Sequence, residues 1–367
     1  MHVLALLHRW IGAIGGLLLA VLGLTGTLLV WRDELTFVAH AGDPVRADPA
    51  ALARVVGQLS NAARPIDRIT FAGDGLGIHQ VIFRDGGGAY LSQAGETVAR
   101  WSASWQRPEL WLFDLHHRLL IGDTGETITG VAGLVGLFFV VTGVLLWWRT
   151  RRRFRLRLWP ATMKSGAIVH HHRDLGVVAA PLLLVSLVTG VLMVFPVLAG
   201  SLIAEARSRP PKLEGQRAAP PVRDLAPLFQ VAAATFPGAE FRRLQWPRKA
   251  GSPIVLRLRQ PFEWTPNGRT FVYADPATLA IIGRADPAGG GRAASIREKL
   301  YPVHAAKTGG LFWKLAMSVS GVALALLGSL AVYAFWRTRW NILGAKRRKS
   351  KDRSQFEMQK NLAPTKR

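Results

Sequence analysis

Four long apolar stretches, separated by two long mixed segments and one short basic loop, set the pattern along this chain. About 20 apolar residues in a helix cross a bilayer, because each residue rises about 1.5 Å through a hydrocarbon core of about 30 Å. The pattern therefore predicts four transmembrane helices. Their predicted bounds are 1–31 (apolar from about residue 10), 128–148, 175–199 and 311–336.

The first apolar run stands where a signal peptide would stand. It is too long for one, its basic flank is weak, and no small-x-small cleavage pattern precedes Trp31-Arg32-Asp33-Glu34. We therefore expect it to remain as a membrane anchor.

The two mixed segments, 32–127 and 200–310, share one order of elements. Each begins with an amphipathic helix, predicted over 48–63 in the first segment and from Asp224 to about Thr235 in the second. Alternating apolar positions between turn residues then predict strands at 66–71, 78–84, 88–92 and 96–100, and at 240–246, 253–260, 269–275 and 279–284. Each segment is thus predicted to form a small α+β module.

Short motifs recur at two fixed offsets. An offset of 164 residues maps His8-Arg9-Trp10-Ile11-Gly12 onto His172-Arg173-Asp174-Leu175-Gly176, and Thr25-Gly26 onto Thr189-Gly190. An offset of 188 maps His116 onto His304, Gly122 onto Gly310, and Trp148-Arg149-Thr150-Arg151 onto Trp336-Arg337-Thr338-Arg339. The predicted fold is therefore an α-helical membrane protein with four transmembrane helices as a tandem duplication, plus two small α+β modules.

The recurring histidines are candidate ligands of haem iron. Ionisable side chains at the ends of membrane spans are costly and tend to mark function, and imidazole binds haem iron well. A parallel duplication brings equivalent residues face to face. The sequence therefore predicts one haem between His8 and His172 and a second between His116 and His304.

Other interpretations of these residues stay open at this point. A single histidine at a span end is more often an interfacial residue paired with a headgroup or a carbonyl group. His117, His170 and His171 are alternative ligands or polar neighbours. The run 170–172 is also a candidate metal site, although three consecutive helical residues point in divergent directions.

Small and aromatic residues near the histidines also have two interpretations. Gly12 and Gly176 lie four residues after a predicted ligand, where the lack of Cβ leaves room for a flat macrocycle or for helix packing. The tryptophans Trp101, Trp105 and Trp111 form a floor for a substrate or pack the first module. The basic positions of the second module attract anionic ferric chelates or lipid headgroups; they are Arg242, Arg243, Arg248, Lys249, Arg257 and Arg259.

Composition narrows the chemistry. The chain has 367 residues and no cysteine, which excludes disulfides, thiolate zinc sites, iron–sulfur clusters and covalently attached c-type haem. Any haem must therefore be held without a covalent link, by imidazole or thioether, and the two histidine pairs predict two such haems. Sequence motifs of hydrolases and of nucleotide-binding proteins are not found.

The net charge of +24 predicts orientation in the membrane. Eleven Lys and Arg residues lie in the tail 337–367 and seven in the part 149–164 of the loop 149–174. Positive residues beside spans favour the cytoplasmic side, so both termini are predicted in the cytoplasm and both modules outside the bacterial inner membrane. A recognition motif for nucleic acid does not accompany the charge.

Several motifs together resemble a known family. They are Leu7-His8-Arg9-Trp10-Ile11-Gly12, Leu115-His116, Leu120-Ile121-Gly122-Asp123-Thr124-Gly125, the Thr-Gly pairs within the spans, and Tyr273-Ala274-Asp275-Pro276-Ala277-Thr278. From about residue 5 to 340 the chain resembles the PepSY-associated transmembrane family, which includes iron-regulated inner-membrane proteins and ferrisiderophore reductases. The resemblance implies PepSY-like modules, b-type haems within the membrane and a role in iron acquisition.

These observations lead to one functional hypothesis and two alternatives. The hypothesis is electron transfer from a cytoplasmic or quinol donor, through two haems, to a ferric siderophore or other ferric chelate outside. The first alternative is a non-enzymatic, membrane-anchored PepSY binding or regulatory protein. The second is a carrier, which four spans without a broken-helix signal favour less.

Overall fold

A computed structural model describes residues 2–46, 48–60, 64–73, 75–203, 211 and 224–362. The described chain alternates long apolar helices with shorter helices and strands. The helices are α1 (His2–Val30), α2 (Pro49–Ser60), α3 (Pro108–Arg118), α4 (Asp123–Trp148), α5 (Ser165–Val194), α6 (Pro196–Ile203), α7 (Ala226–Thr235), α8 (Gly291–His304) and α9 (Gly310–Leu362). The strands are β1 (Ile66–Thr70), β2 (His79–Phe83), β3 (Gly88–Leu91), β4 (Thr97–Trp101), β5 (Glu240–Gln245), β6 (Ile254–Arg259), β7 (Thr270–Ala274) and β8 (Ile281–Ala285).

Four of these helices are long and apolar enough to cross a membrane: α1, α4, α5 and the Gly310–Ala345 part of α9. The prediction of four membrane helices is confirmed, and the chain is a multi-pass membrane protein. α9 continues well beyond the predicted end at residue 336 because no glycine or proline follows until Gly344, and lysine and arginine are good helix formers.

All eight strands form one antiparallel sheet in the order β4-β3-β2-β1-β5-β6-β7-β8. The predicted strands are found, but the two halves are joined where two separate modules were expected. Ile69 pairs with Leu244 and Thr70 with Arg243, so β1 is hydrogen-bonded to β5. An unpaired edge strand offers a row of free peptide groups, and the pairing of the two central edges satisfies both rows at once.

One face of the sheet carries the hydrophobic core. α2 and α7 cover this face, and Val56, Leu228, Leu244 and Leu256 are almost fully buried there. Since successive side chains of a strand point to opposite faces, β5 and β6 present their remaining residues on the other face. Those residues include arginines, among them Arg257 of β6.

The chain divides into two compact units. The first contains Met1–Leu24, Val131–Leu187 and Val319–Arg367, and the second contains Thr25–Gly130 and Val188–Ser318. Within the first unit, Leu175, Ala179, Leu183 and Leu327 form a buried cluster between α5 and α9. The second unit contains the sheet and the helices α2, α3, α7 and α8.

Candidate functional site

His8 of α1 and His172 of α5 lie side by side in the first unit. Their ring centroids are 6.2 Å apart, with the ring planes at 87°. Both side chains are partly buried. We call them the first histidine pair.

This separation has a chemical meaning. Bonds between a metal ion and an imidazole nitrogen are about 2 Å long, and the ring centroid lies about 1 Å behind that nitrogen. Two imidazoles on opposite sides of one metal ion therefore have centroids about 6 Å apart. The first histidine pair is spaced as two axial ligands of one iron ion would be.

The first histidine pair lines a cavity of about 890 Å³ within the first unit. This volume is in the range of cofactor sites, which are mostly apolar with a few polar groups. A Cβ at Gly12 would meet only Phe139, at 3.8 Å, and a Cβ at Gly176 only Leu327, at 3.9 Å. Arg9 and Arg339 also line the cavity and are cations that suit the two carboxylates of a haem, whereas a third lining arginine, Arg173, is paired with the buried Asp174.

A hydrogen bond fixes the tautomer of His8. The Thr142 hydroxyl donates to the Phe138 carbonyl oxygen at 2.7 Å and lies 2.7 Å from Nδ1 of His8. Because the hydroxyl proton is used toward Phe138, Nδ1 of His8 is the donor to the threonine oxygen. The proton is then on Nδ1, and Nε2 carries the lone pair that metal coordination requires.

His116 and His304 form the second histidine pair, in the second unit. Their ring centroids are 6.3 Å apart, with the ring planes at 45°. His116 lies near the end of α3 and His304 at the end of α8, two helices that the sequence pattern did not predict. The separation again fits two ligands of one metal ion.

Each histidine of the second pair packs against a Thr-Gly dipeptide. Nδ1 of His116 is 3.0 Å from the hydroxyl of Thr25, and Nδ1 of His304 is 3.2 Å from that of Thr189. The following glycine lies against the ring in both cases, and a Cβ there would be 3.0 Å from Cε1. Both dipeptides belong to the repeat, and their shared offset of 164 residues was the available signal for the threonines, whose contact with the histidines was not predicted.

The alternative histidines occupy other surroundings. His171 is fully buried and its Nδ1 lies 3.2 Å from the carbonyl oxygen of Arg157, whereas His170 is exposed. His117 stacks on Phe113 at 5.5 Å between ring centroids. Within the described ranges, no group of three or more His, Cys, Asp or Glu side chains is placed to hold a metal ion.

The structure also shows the surroundings of the tryptophans near the second pair and of a glycine near the first. Trp101 is buried in a core cluster with Tyr90 and Ile78, so it is not available as a floor for a substrate. Trp105 is 69% exposed. Gly16 packs closely against α9, since a Cβ there would lie 3.1 Å from the carbonyl oxygen of Gly328.

Comparison with known proteins identifies one family. The model of the PepSY-associated TM region matches residues 5–339. This range contains both histidine pairs and both Thr-Gly dipeptides. A search of curated proteins found no match to the chain.

Proposed function

Because this chain belongs to the PepSY-associated transmembrane family, we propose that it carries electrons across the bacterial inner membrane and reduces ferric iron outside. The ferric iron is held by a siderophore or another chelate, and the reduction serves iron acquisition. The observation that carries the proposal is the spacing of the two histidine pairs, 6.2 Å and 6.3 Å between ring centroids.

The residues of the first pair fit a b-type haem. His8 and His172 would hold its iron, and the apolar cavity with Gly12 and Gly176 would provide space for the macrocycle. When bound, haem supplies the one-electron ferric/ferrous couple that amino-acid side chains lack. Arg9 and Arg339, which line the cavity, would neutralise the carboxylates of the cofactor.

The second pair is proposed to hold the second haem. Thr25 and Thr189 contact Nδ1 of His116 and His304, and such a contact would orient each ring and leave Nε2 for iron. The same Thr-Gly-His arrangement is built twice from residues that the two offsets relate. This arrangement supports the tandem duplication and the interpretation of the two halves as PepSY-like modules.

The charge on the chain supports the proposed direction of transfer. The basic loop and tail favour a cytoplasmic position for the first pair, and the outward position of the second pair is part of the proposal. A cytoplasmic or quinol donor supplies one electron for each ferric ion reduced. Chelators built for ferric iron bind ferrous iron much more weakly, so reduction releases the metal.

Stopped-flow mixing under anaerobic conditions tests the proposal. The purified chain is reduced with dithionite, freed of excess reductant and mixed with a ferric chelate, and ferrous iron is trapped with ferrozine. We expect one ferrous ion for each electron lost by the protein, and we expect the yield to collapse in His116→Ala and not in the exposed His40→Ala. A folded wild-type chain that contains no haem would instead favour a membrane-anchored regulatory protein.

A further inference from the structure

Two arginines lie directly opposite each other on the outer face of the sheet. Arg243 of β5 is paired in register with Arg257 of β6, and both point away from the core that α2 and α7 cover. Like charges at directly opposite positions destabilise a sheet. Among the residues that the structure describes, neither guanidinium forms an ion pair with a carboxylate.

Burial adds to the cost of this arrangement. Desolvation, followed by the charge of Arg243, lowers the pKa of Arg257 to about 10. Desolvation, followed by the charge of Arg68, likewise lowers the pKa of Arg243 to about 10. Both side chains remain cationic at neutral pH, so this face of the sheet holds two adjacent positive charges.

Arg257 also lines a pocket of about 200 Å³. Its lining includes Arg257, Arg269 and Arg297 together with the polar groups of Asn267 and Tyr301, and a single carboxylate, Glu298. Three guanidinium groups around a small cavity favour an oxyanion, because each carries a positive charge and five N–H donors.

The one carboxylate of the lining has another role. Glu298 is 7% exposed, and its Oε1 accepts hydrogen bonds from the backbone N–H groups of Trp264 and Thr265. It therefore holds the loop between β6 and β7 in place.

The loop also fixes Arg257 in a prepared position. Nε of Arg257 donates to the carbonyl oxygen of Gly268 at 2.7 Å, and its guanidinium lies over the Phe271 ring at 5.2 Å. Gly268 has φ +67°, and a Cβ there would be 1.8 Å from the carbonyl oxygen of Leu258. Only glycine fits this turn, so the donor geometry is set before a ligand arrives.

The pocket adjoins the helix that carries a ligand of the second pair. Arg297 and Tyr301 belong to α8, and His304 follows Tyr301 by three residues, about one helical turn. We propose that the pocket is an oxyanion site and that its ligand is a carboxylate group of the ferric chelate. This inference rests on the proposed function and specifies its substrate as a carboxylate-bearing chelate.

Binding of gallium(III) citrate tests this site without electron transfer. Gallium(III) replaces iron(III) in the chelate but is not reduced. The full chain is placed in nanodiscs of phosphatidylcholine, and the dissociation constant is measured by equilibrium dialysis. We expect Arg257→Gln and Arg297→Gln to weaken binding about tenfold or more, since a hydrogen bond to a charged group contributes about 1.5 kcal/mol or more and about 1.4 kcal/mol is tenfold. Arg257→Lys, which keeps the charge, should recover part of the loss.

Two exposed arginines provide matched controls. Arg292→Gln on α8 and Arg284→Gln on β8 make the same charge change outside the pocket and should leave the dissociation constant within about twofold. Circular dichroism and thermal unfolding check that each variant is folded. Equal binding by the pocket variants and the controls would overturn the proposal.

A second arm separates a chelate from a lipid headgroup. Nanodiscs with phosphatidylglycerol are compared with neutral ones, and inorganic phosphate is added as a free competitor. Retention of phosphatidylglycerol that depends on Arg257, with no arginine-dependent binding of gallium citrate, would overturn the chelate and assign the oxyanion to lipid. Competition by phosphate alone at the same arginines would overturn the chelate as well.

Failure of the oxyanion site can be distinguished from failure of the proposed electron transfer. Gallium citrate binding is repeated with His304→Ala, which we expect to lose the second haem. Arginine-dependent binding in that variant supports the pocket even where electron transfer fails. Suppose instead that the wild-type chain carries two haems but binds gallium citrate independently of the arginines. That result would leave the proposed function standing and would contradict the oxyanion site.

Discussion

A Cβ atom added to Gly26 would lie 3.0 Å from Cε1 of His116. The equivalent glycine, Gly190, stands in the same relation to His304, also at 3.0 Å. Each ring of the second histidine pair thus packs closely against one glycine. The glycines near the first pair differ, because Gly12 and Gly176 face a cavity.

Alanine substitutions at the four glycines should therefore have opposite effects. Gly26→Ala and Gly190→Ala push the imidazole by a few tenths of an ångström and should weaken the second haem site about tenfold, as loss of a ligand-orienting contact does. Gly12→Ala and Gly176→Ala should keep wild-type haem content, because the added carbon has 3.8 Å and 3.9 Å to its neighbours. Haem dissociation followed by transfer to apomyoglobin measures both effects. Equal losses at all four positions would contradict this account.

A large side chain at Gly176 should fill the cavity without disrupting the fold, and so it tests the role of the cavity. Gly176→Phe directs a ring into the cavity and should abolish the first haem while the protein stays folded, because the Cβ position meets only Leu327, at 3.9 Å. Gly15→Phe is the control, since nothing lies within 4 Å of its Cβ position and Gly15 does not line the cavity. Haem stoichiometry and gel filtration give the answer. Retention of both haems in Gly176→Phe would show that the cavity is not a haem site.

The Thr142 hydroxyl should tune the first haem through His8. Thr142→Val removes the acceptor for Nδ1–H and makes the imidazole a weaker ligand, so haem affinity at this site should fall about 10- to 100-fold. The reduction potential of this haem should also rise, because a less basic ligand stabilises the ferric state less. Redox titration measures the potential. Thr127→Val serves as the control on the same helix, since the exposed Thr127 bonds only the carbonyl oxygen of Asp123.

His79 should make the stability of the sheet depend on pH. The side chain is 1% exposed, its Nδ1 accepts from the Ala72 N–H at 2.8 Å, and burial lowers its pKa to about 4. The unfolded chain binds a proton near pH 6.5 that the folded chain does not bind until about pH 4. Stability should thus be full above pH 6.5 and fall by up to about 3 kcal/mol as the pH drops to 4.

Thermal unfolding between pH 4 and 8 measures this loss. His79→Gln keeps an acceptor for the Ala72 N–H and does not titrate, so its unfolding temperature should fall less steeply below pH 6.5. The exposed His40 pairs with Asp43, and His40→Gln should follow the wild-type curve. A His79→Gln curve with the wild-type slope would assign the acid sensitivity to other groups.

Much of this structure follows from local patterns in the sequence. The four membrane helices and eight strands were predicted because apolar runs and alternation report burial directly. The pairing of His8 with His172 needed only the repeat offset, since equivalent residues of a parallel duplication face each other. The structure places these rings in contact range, while their role as ligands stays a prediction.

Other features depend on contacts that no local pattern records. α3 and α8 mix polar and apolar residues without a clear period, so His116 and His304 were placed without their helices. The pairing of β1 with β5 joins residues far apart in sequence. The opposition of Arg243 and Arg257 follows from strand register, which composition does not reveal.

Haem counting in histidine variants tests the central claim most directly. The pyridine haemochrome assay on purified chain should give two haems per polypeptide for the wild type and for His40→Ala. It should give one for His8→Ala and His172→Ala, with the loss at the same spectral component, and one for His116→Ala and His304→Ala, with the loss at the other. Two haems in all four variants, or none in the folded wild type, would contradict the account.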